Sequence, residues 1–425
     1  MGGERAASPR NPWDRRRTMP DGSLAPTATA RFSKKREAII AAATELLNQN
    51  GVKGMTLADV AERVGLITTS VTYYFKRKDE LAGACFQAGI RRLQALVAEA
   101  ALAETASERV RRLLASYLDL RARIGAGEAP PIPVFSDIRA LSAPILGPTA
   151  IAYGDLFRQV RRLFAAPGAA VLSRGQATAR AQILLEQVHW LEAWLPRYAA
   201  AEHPQVAARM HDILARGLAA PGDAWRPSPL PSLEAPSDPG APGEAFLLAA
   251  TRLINQRGYH GASVEAISAA LGVTKGSFYH HHNAKDDVVS LCFERSFETV
   301  RRAQGAAEAL PADAWTRLTS AAAALVERQF SPAGPLLRTS ALTALPPAIR
   351  GEMLAESQRL SDRFAAMIER GVAEGSLRPV DPFIAAQMLN ATLNAAADLP
   401  VLLRGVSARA AVEFYARPFF TGLTS

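Results

Sequence analysis

Two segments of the chain carry hydroxyl groups, aromatic rings and a lysine in a similar order. They are SVTYYFKRKDEL, Ser70–Leu81, and SFYHHHNAKDDV, Ser277–Val288. Short hydroxyl side chains approach base edges and phosphates closely, a tyrosine places a hydroxyl on a rigid ring, and a lysine attracts phosphate. Side chains of these types, grouped in this way, are candidates for contacts with a nucleic acid.

The similarity of the two segments extends well beyond them. With a shift of 207 residues and no gap, Ala42–Phe86 aligns with Ala249–Phe293, and 14 of these 45 positions are identical. A chance match would not stay in register over this length. The chain therefore contains an internal duplication of a module about half its own length. Its 425 residues have room for roughly two to four domains.

Each copy of the module has the pattern of three helices. In the first copy an apolar helix face stops at Asn50-Gly51, and Thr56 and Asp59 form a capping-box-like start to a second helix. After a tight turn a third short helix follows, Thr68–Phe75. Two short helices joined by a turn that contains glycine are typical of a helix-turn-helix, whose second helix enters the major groove of DNA.

The rest of the chain also has helical periodicity. Leu184, Val188 and Leu191 lie on one face of a long helix, and a second apolar face follows the helix-start signal Asp381-Pro382. No run of alternating β-branched residues occurs. We therefore predict an all-α fold.

Two polar segments interrupt the helical pattern. Residues 1–36 hold nine Lys or Arg against three acidic residues, and their composition predicts a disordered basic arm up to about residue 30. Such an arm either solubilises the chain or neutralises phosphates, and the sequence leaves both possibilities open. The stretch Ala220–Glu244 contains seven prolines and predicts a semi-extended linker between the two copies.

The two helix-turn-helix segments resemble a known family. GVTKGSFYHHHNAKDDV, Gly272–Val288, is similar to the signature of the TetR family of bacterial transcriptional regulators, and GLITTSVTYYFKRKDEL, Gly65–Leu81, is a slightly less regular copy. In this family a three-helix DNA-binding domain precedes a helical domain that binds a small molecule and dimerises through its last two long helices. Most members have about half this length and act as homodimers. The resemblance implies two tandem units that form an intramolecular pseudo-dimer.

The resemblance and the polar segments together give a division of the chain. A basic arm covers residues 1–30, the first helix-turn-helix domain 31–81 and the first ligand-binding and dimerisation domain 82–219. A proline-rich linker covers 220–243, the second helix-turn-helix domain 244–290 and the second ligand-binding and dimerisation domain 291–425.

The two copies depart from the family pattern at different places. Thr72 stands where Tyr is usual, which the second copy keeps as Tyr279, and His282 stands where Phe is usual, which the first copy keeps as Phe75. The basic run Lys34–Arg36 precedes the first copy, whereas acidic residues precede the second. We call the two helix-turn-helix domains, residues 31–81 and 244–290, the first and the second reader. We expect phosphate attraction to strengthen DNA binding by the second reader less than by the first.

Candidate DNA contacts share a place in or just before the helix-turn-helix segments. They are Lys34, Lys35, Arg36, Thr56, Thr68, Thr69, Ser70, Thr72, Tyr73, Tyr74, Lys78, Ser263, Thr274, Lys275, Gly276, Ser277, Tyr279, His280, His281 and Lys285.

Candidate ligand contacts lie on the later helices of each unit. They are His189, Trp190, Trp194, Asn390 and Asn394. Polar and aromatic side chains there are suited to a small-molecule cavity, and the aromatic ones are equally suited to a core or an interface.

Other chemistries find little support. Three consecutive histidines, His280–His282, do not converge on a helix, so we predict no metal site. Cys85 and Cys292 occupy equivalent apolar positions typical of small buried side chains, and so few cysteines indicate a reducing compartment.

No nucleophile elbow or phosphate-binding glycine loop occurs, so we expect neither an enzyme nor a cofactor. Apolar stretches are too short to span a membrane, which favours a cytoplasmic protein.

The favoured interpretation is a sequence-specific DNA-binding regulator, a repressor released by a small-molecule effector of unknown identity. One chain would supply two readers for a double-stranded operator, and further dimerisation stays open. The alternative is an interaction protein in which one or both helix-turn-helix units no longer bind DNA.

Overall fold

The computed structural model describes residues 28–222, 224–233, 244–271, 285–345 and 347–424. Over these residues the chain is helical, and its β-structure is limited to one isolated bridge between Ala219 and Leu377. The predicted all-α fold is confirmed. No helix in these five ranges is long and apolar enough to cross a membrane.

The first reader consists of three helices, α1 Ala28–Gly54, α2 Leu57–Arg63 and α3 Thr68–Tyr74. Helix α1 starts inside the predicted arm and is kinked at Gly51, whose φ of 68° suits glycine. The helix that the sequence predicts to stop at Asn50-Gly51 is thus interrupted at Gly51 and continues to Gly54. Thr56 caps α2, because its hydroxyl accepts from the Asp59 amide at 3.2 Å. Buried apolar residues of the three helices form the core of this reader.

Five longer helices complete the first unit. They are α4 Lys78–Ala100, α5 Ala106–Gly125, α6 Ala143–Leu163, α7 Arg174–Trp194 and α8 His203–Arg216. Helix α4 lies against α1, α5 and α6, and α5 lies against α8. A short 3-10 segment, Phe135–Ala140, connects α5 to α6.

The second unit repeats this order. Its reader begins with α9 Glu244–Gly261, kinked at Gly258 (φ 71°), and α10 Val264–Leu271. The later helices are α11 Lys285–Glu308, α12 Ala314–Phe330, α13 Pro347–Glu374 and α14 Pro382–Ala395. A 3-10 segment, Thr339–Ala344, precedes α13. The chain ends in short helical turns over Leu399–Leu402, Ala408–Ala411, Val412–Ala416 and Arg417–Thr421.

Side-chain contacts reproduce the duplication that the sequence shows. The Asn48 amide donates to the Ile132 carbonyl and accepts from the Val134 N–H, both at 2.9 Å. Asn255, the equivalent residue, makes the same pair of hydrogen bonds at 2.9 and 3.0 Å to the loop after α12. In each unit this amide fixes the loop that leads into the 3-10 segment.

The last helices of the two units pack against each other in one core. The Gln187 amide of α7 donates to the Met388 carbonyl of α14 at 3.1 Å, and the Trp190 indole donates to Gln387 at 3.2 Å. At the end of the chain, the Leu423 N–H of the second unit donates to the Leu214 carbonyl of the first at 2.7 Å. Apolar residues from both units belong to a single buried cluster.

Part of the predicted linker is bound to the second unit. The Trp225 indole donates to Glu413 at 3.0 Å, and the Ser228 N–H donates to the Ser320 hydroxyl at 2.8 Å. Leu233 is buried. Because Trp225 and Leu233 are apolar anchors within a proline-rich stretch, residues 224–233 form a strap along the second unit.

Candidate nucleic-acid interface and ligand cavity

Helix α3 exposes a face of hydroxyl groups. Thr68 and Thr69 are exposed, and the Tyr73 side chain is 75% exposed. Ser70 is half-buried and Val71 is fully buried, so the helix is anchored by its opposite side. A short helix with this outward face offers hydrogen-bonding groups to a DNA groove.

Two other predicted contacts on α3 are partly used within the protein. The Thr72 hydroxyl donates back to the Thr68 and Thr69 carbonyls at 3.1 and 2.9 Å. The Tyr74 ring lies 4.7 Å from that of Phe32 on α1, centroid to centroid. Both side chains are half-buried. Both side chains therefore help to hold α3 in place, although they lie near its outer face.

The basic residues of the first reader divide into free and engaged cations. Lys34 and Lys35 are exposed near the start of α1. The Arg36 guanidinium lies 5.0 Å from the centre of the Phe75 ring, a cation–π distance. Lys78 donates to the Lys53 carbonyl at 2.8 Å, so its ammonium group caps the kinked end of α1.

In the second reader the described residues repeat these supporting contacts. Ser263 caps α10 by accepting from the Ala266 N–H at 3.2 Å, as Thr56 does in the first reader. Lys285 donates to the Tyr259 carbonyl, and burial together with nearby Lys53 lowers the pKa of its ammonium group to about 8. The predicted contacts that lie outside the described residues are Thr274, Lys275, Gly276, Ser277, Tyr279, His280 and His281, and His282 lies there too.

A cavity of about 780 Å³ lies where the two units meet. The first unit contributes α5, the Ile132–Arg139 loop, α6 and α7 to its wall. The second unit contributes the end of its reader helix α9, the loop after α12 and the turn after α14. The volume falls within the range of about 300–1,000 Å³ that is usual for small-molecule sites.

Aromatic rings form one side of the cavity around His189. The imidazole ring lies 5.5 Å from the Phe135 ring and 6.2 Å from the Tyr153 ring, and it is stacked on the latter. Phe157 and Trp190 also line the wall. Burial and the charge of Arg338 lower the pKa of His189 to about 4, so the imidazole is neutral at neutral pH.

Charged side chains meet at the boundary between the units. Arg338 of the second unit lies 3.3 Å from Glu186 of the first and pairs with Asp398. Arg139 of the first unit lies 3.5 Å from Asp398 and donates to the Asn255 carbonyl on α9. Burial raises the pKa of Glu186. This network joins the first unit's cavity wall to the second reader.

The ligand candidates fall in different places. His189 and Trp190 line the cavity. Trp194 lies against Phe383 of α14 (ring centroids 6.1 Å apart), so it packs between the units and does not line the cavity. Asn390 and Asn394 also lie off the cavity wall, because Asn390 donates to Ser361 at 2.9 Å and Asn394 accepts from the Thr339 N–H at 2.9 Å.

Several cavity residues were not predicted from the sequence. Gln182 and Glu186 precede His189 by seven and three residues on the same face of α7, and that polar face was a usable signal. Arg338 and Asp398 gave no such signal in the sequence, because they come from distant segments that meet only after the units pack together.

The described residues show one complete helix-turn-helix, the first two helices of a second reader, and a cavity between the two units. The family model described as "Bacterial regulatory proteins, tetR family" matches residues 39–85 and 246–292. The chain therefore carries two tetR-family units in tandem, as the sequence analysis predicted.

Three solved structures that are similar to this chain each cover less than half of it. A TetR family regulator, PfmR from Thermus thermophilus, has 22% identity, covers 42% of this chain and 99% of its own, and gives a TM-score of 0.36. FadR from Bacillus subtilis, in complex with stearoyl-CoA, has 18% identity over 42% and 97% of the chains and a TM-score of 0.35. AibR with isovaleryl coenzyme A and operator DNA has 20% identity over 40% and 92%, with a TM-score of 0.34. No curated protein matches the chain significantly.

Proposed function

We propose that the chain is a sequence-specific DNA-binding transcriptional regulator, a repressor released by a small-molecule effector. One chain supplies both readers and forms an intramolecular pseudo-dimer on a double-stranded operator. The observation that carries this proposal is the packing of α7 against α14, because in a family of dimers the last long helices form the dimer interface.

The contacts between the units support a lasting interface. The Gln187 side chain is 1% exposed and is hydrogen-bonded to α14. Arg378 of the second unit donates to Asp212 of the first at 2.6 Å. A buried polar pair at an apolar interface favours one register, since any slip leaves these groups unpaired.

The exposed face of α3 supports a DNA-reading role for the first unit. Thr68, Thr69 and Tyr73 are turned to solvent, while Lys34 and Lys35 lie exposed on the helix that precedes them. Short polar groups and nearby cations are suited to base edges and phosphates respectively.

The cavity supports a route from effector to reader. Its wall includes Asn255 and Gly258 of α9, and Arg139 joins that helix to the first unit. A ligand that prefers one spacing of the two units would shift the distance between the readers, which is how an effector weakens operator binding.

The test is the mass of the protein–DNA complex. Sedimentation of the chain with the DNA upstream of its own gene, against a shuffled fragment of equal length, should give one chain per minimal site with two half-sites. Two chains as the smallest unit would overturn the pseudo-dimer. No preference for the upstream fragment over the shuffled one would favour an interaction protein whose readers do not recognise DNA.

A further inference from the structure

We infer that the cavity between the units binds an uncharged aromatic compound that carries a hydroxyl group, with His189 as its polar anchor. The wall supplied by α9 makes the second reader the one that senses this ligand. The inference rests on the proposed function for its regulatory meaning, and on the geometry of the cavity for the chemistry of the ligand.

The pairing of charges on the wall disfavours an ionic ligand. Four arginines and four carboxyl groups line the cavity, and each has a protein partner. Arg121 pairs with Glu192 at 2.6 Å, and Asp137 accepts from the Val52 N–H at 2.6 Å. Glu186 and Asp398 both pair with Arg338, and Asp398 also pairs with Arg139. The Arg252 guanidinium donates to the Pro332 and Gly334 carbonyls. An ionic ligand at Arg121, Arg139 or Arg338 would have to break an ion pair at a cost in desolvation. An anion at Arg252 would compete with its two carbonyl acceptors.

Two polar groups on the wall await a partner. Among the described residues, the buried His189 Nε2 and Gln329 Nε2 atoms have no hydrogen-bond partner. Both side chains line the cavity, and a buried polar atom left unpaired is costly. A neutral imidazole can accept a hydrogen bond from a hydroxyl group or donate one to it, and an amide nitrogen can donate to an oxygen. A hydroxyl group on the ligand therefore matches the chemistry of His189.

The rings around His189 set the shape of the ligand. Phe135, Tyr153, Phe157 and Trp190 line the same cavity, and Phe135 and Tyr153 already pack on the imidazole. Aromatic rings favour offset or edge contacts with another ring. The combination selects a flat aromatic body with one polar end.

The second reader forms part of the wall and the first reader does not. Residues Arg252, Ile254–Gln256 and Gly258–Tyr259 of α9 line the cavity, whereas the equivalent end of α1, residues 45–52, contributes none. Ligand contacts therefore bear directly on the second reader, whereas the first reader meets the wall through hydrogen bonds of Asn48 and Val52 to lining residues.

The probe that tests the ligand class is 2-naphthol, titrated calorimetrically into the full chain without DNA. Charged relatives with the same ring, 2-naphthoate and 2-(aminomethyl)naphthalene, should bind more weakly. His189→Phe should weaken 2-naphthol about tenfold, the effect of one lost hydrogen bond of about 1.4 kcal/mol. The same variant should leave naphthalene binding unchanged, which also shows that it is folded. His211→Gln is the matched control, because His211 bonds to Ser107 away from the cavity.

Hydrogen exchange tests the second reader's part in the wall. Saturation with 2-naphthol should protect the amides of residues 252–259, which line the cavity, more strongly than those of 45–52, which lie behind the wall. Failure of 2-naphthol to bind, tighter binding of 2-naphthoate, or equal protection of both segments would overturn the inference. Because these measurements need no DNA, their failure is distinct from failure of the chain to recognise an operator.

Discussion

The side-chain amide of Gln187 lies 3.0 Å from the Thr392 hydroxyl, and the two residues come from opposite halves of the chain. Both are buried at the crossing of α7 and α14. Thr392 also donates to the Met388 carbonyl at 2.9 Å, which is the second acceptor of the Gln187 amide. Three polar groups thus satisfy one another inside an apolar interface and fix the register of the two units.

A negative charge at this crossing should separate the units. Gln187→Glu replaces the donor with a carboxylate that faces the Met388 carbonyl, and we expect a loss of roughly 3 kcal/mol or more in the free energy of unfolding at neutral pH. Gln187→Leu is the control and should cost less than about 1.5 kcal/mol, because Thr392 keeps its carbonyl partner. Thermal unfolding of both variants provides the measurement. Equal losses for Glu and Leu would contradict the importance of charge at this position.

Substitution of Arg338 alone should strongly destabilise the fold. Arg338→Met leaves the buried Glu186 without its cation and the half-buried Asp398 with Arg139 alone, at an expected cost of about 3–5 kcal/mol. Adding Glu186→Gln and Asp398→Asn removes the stranded charges and should recover much of the loss. Denaturant unfolding of the single and triple variants tests this. A triple variant as unstable as the single one would show that packing of the arginine, and not its charge, matters.

Asp137 should make stability fall as the pH rises through mildly acidic values. Burial raises the pKa of this carboxyl from 3.8 to about 6. The hydrogen bond from the Val52 N–H favours the charged form and offsets only part of that rise. Below pH 3.8 the group is protonated in both states. As the pH rises to about 6, the folded state must release a proton that it binds more tightly than the unfolded state does. The free energy of unfolding therefore falls by up to roughly 3 kcal/mol.

The matched variant for this pH dependence is Asp137→Asn, which keeps the size of the side chain and an acceptor for Val52. The difference in unfolding free energy between variant and parent should grow in favour of the variant between pH 4 and pH 6. Chemical unfolding at several pH values measures it. A constant difference across this range would mean that the Asp137 carboxyl titrates alike in the folded and unfolded states.

Local signals in the sequence identified the elements of the fold well. The kinks at Gly51 and Gly258, and the cap at Thr56, follow from backbone chemistry that acts over a few residues. The duplication was visible for the same reason, since equivalent residues such as Asn48 and Asn255 make equivalent contacts in each unit.

Contacts between distant segments were beyond such reasoning. The sequence pointed to the cavity through His189 and Trp190, which share a helix, but gave no indication that Arg338 and Asp398 complete its wall. Trp194 shows the converse, because its spacing fits the same helix face while its ring packs on Phe383. Lys78 likewise looks like a phosphate ligand in sequence and is engaged by the Lys53 carbonyl in the structure.

The exposed ring of α3 should matter for DNA and little for stability. Tyr73→Ala removes a side chain that is 75% exposed, so we expect a change in melting temperature close to zero and weaker operator binding. Val71→Ala is the opposite control on the same helix, since Val71 is fully buried and its truncation should lower stability by about 1–3 kcal/mol. Operator titrations with both proteins would refute this reading of α3 if Tyr73→Ala bound as tightly as the parent.

The residues before α1 should set the salt dependence of DNA binding. Residues 1–27 contain Arg5, Arg10 and Arg15–Arg17, while the exposed Lys34 and Lys35 stay on α1 after their removal. Each phosphate neutralised contributes about −0.9 to the slope of log affinity against log salt, so deletion of 1–27 should flatten that slope by up to about 4. Since phosphates carry no sequence information, affinity should fall alike on operator and shuffled DNA. A chain with all five arginines replaced by glutamine is the control for length and should behave as the truncation does. If the truncated chain keeps the full slope, the segment only solubilises the protein and the first reader binds phosphate through α1 alone.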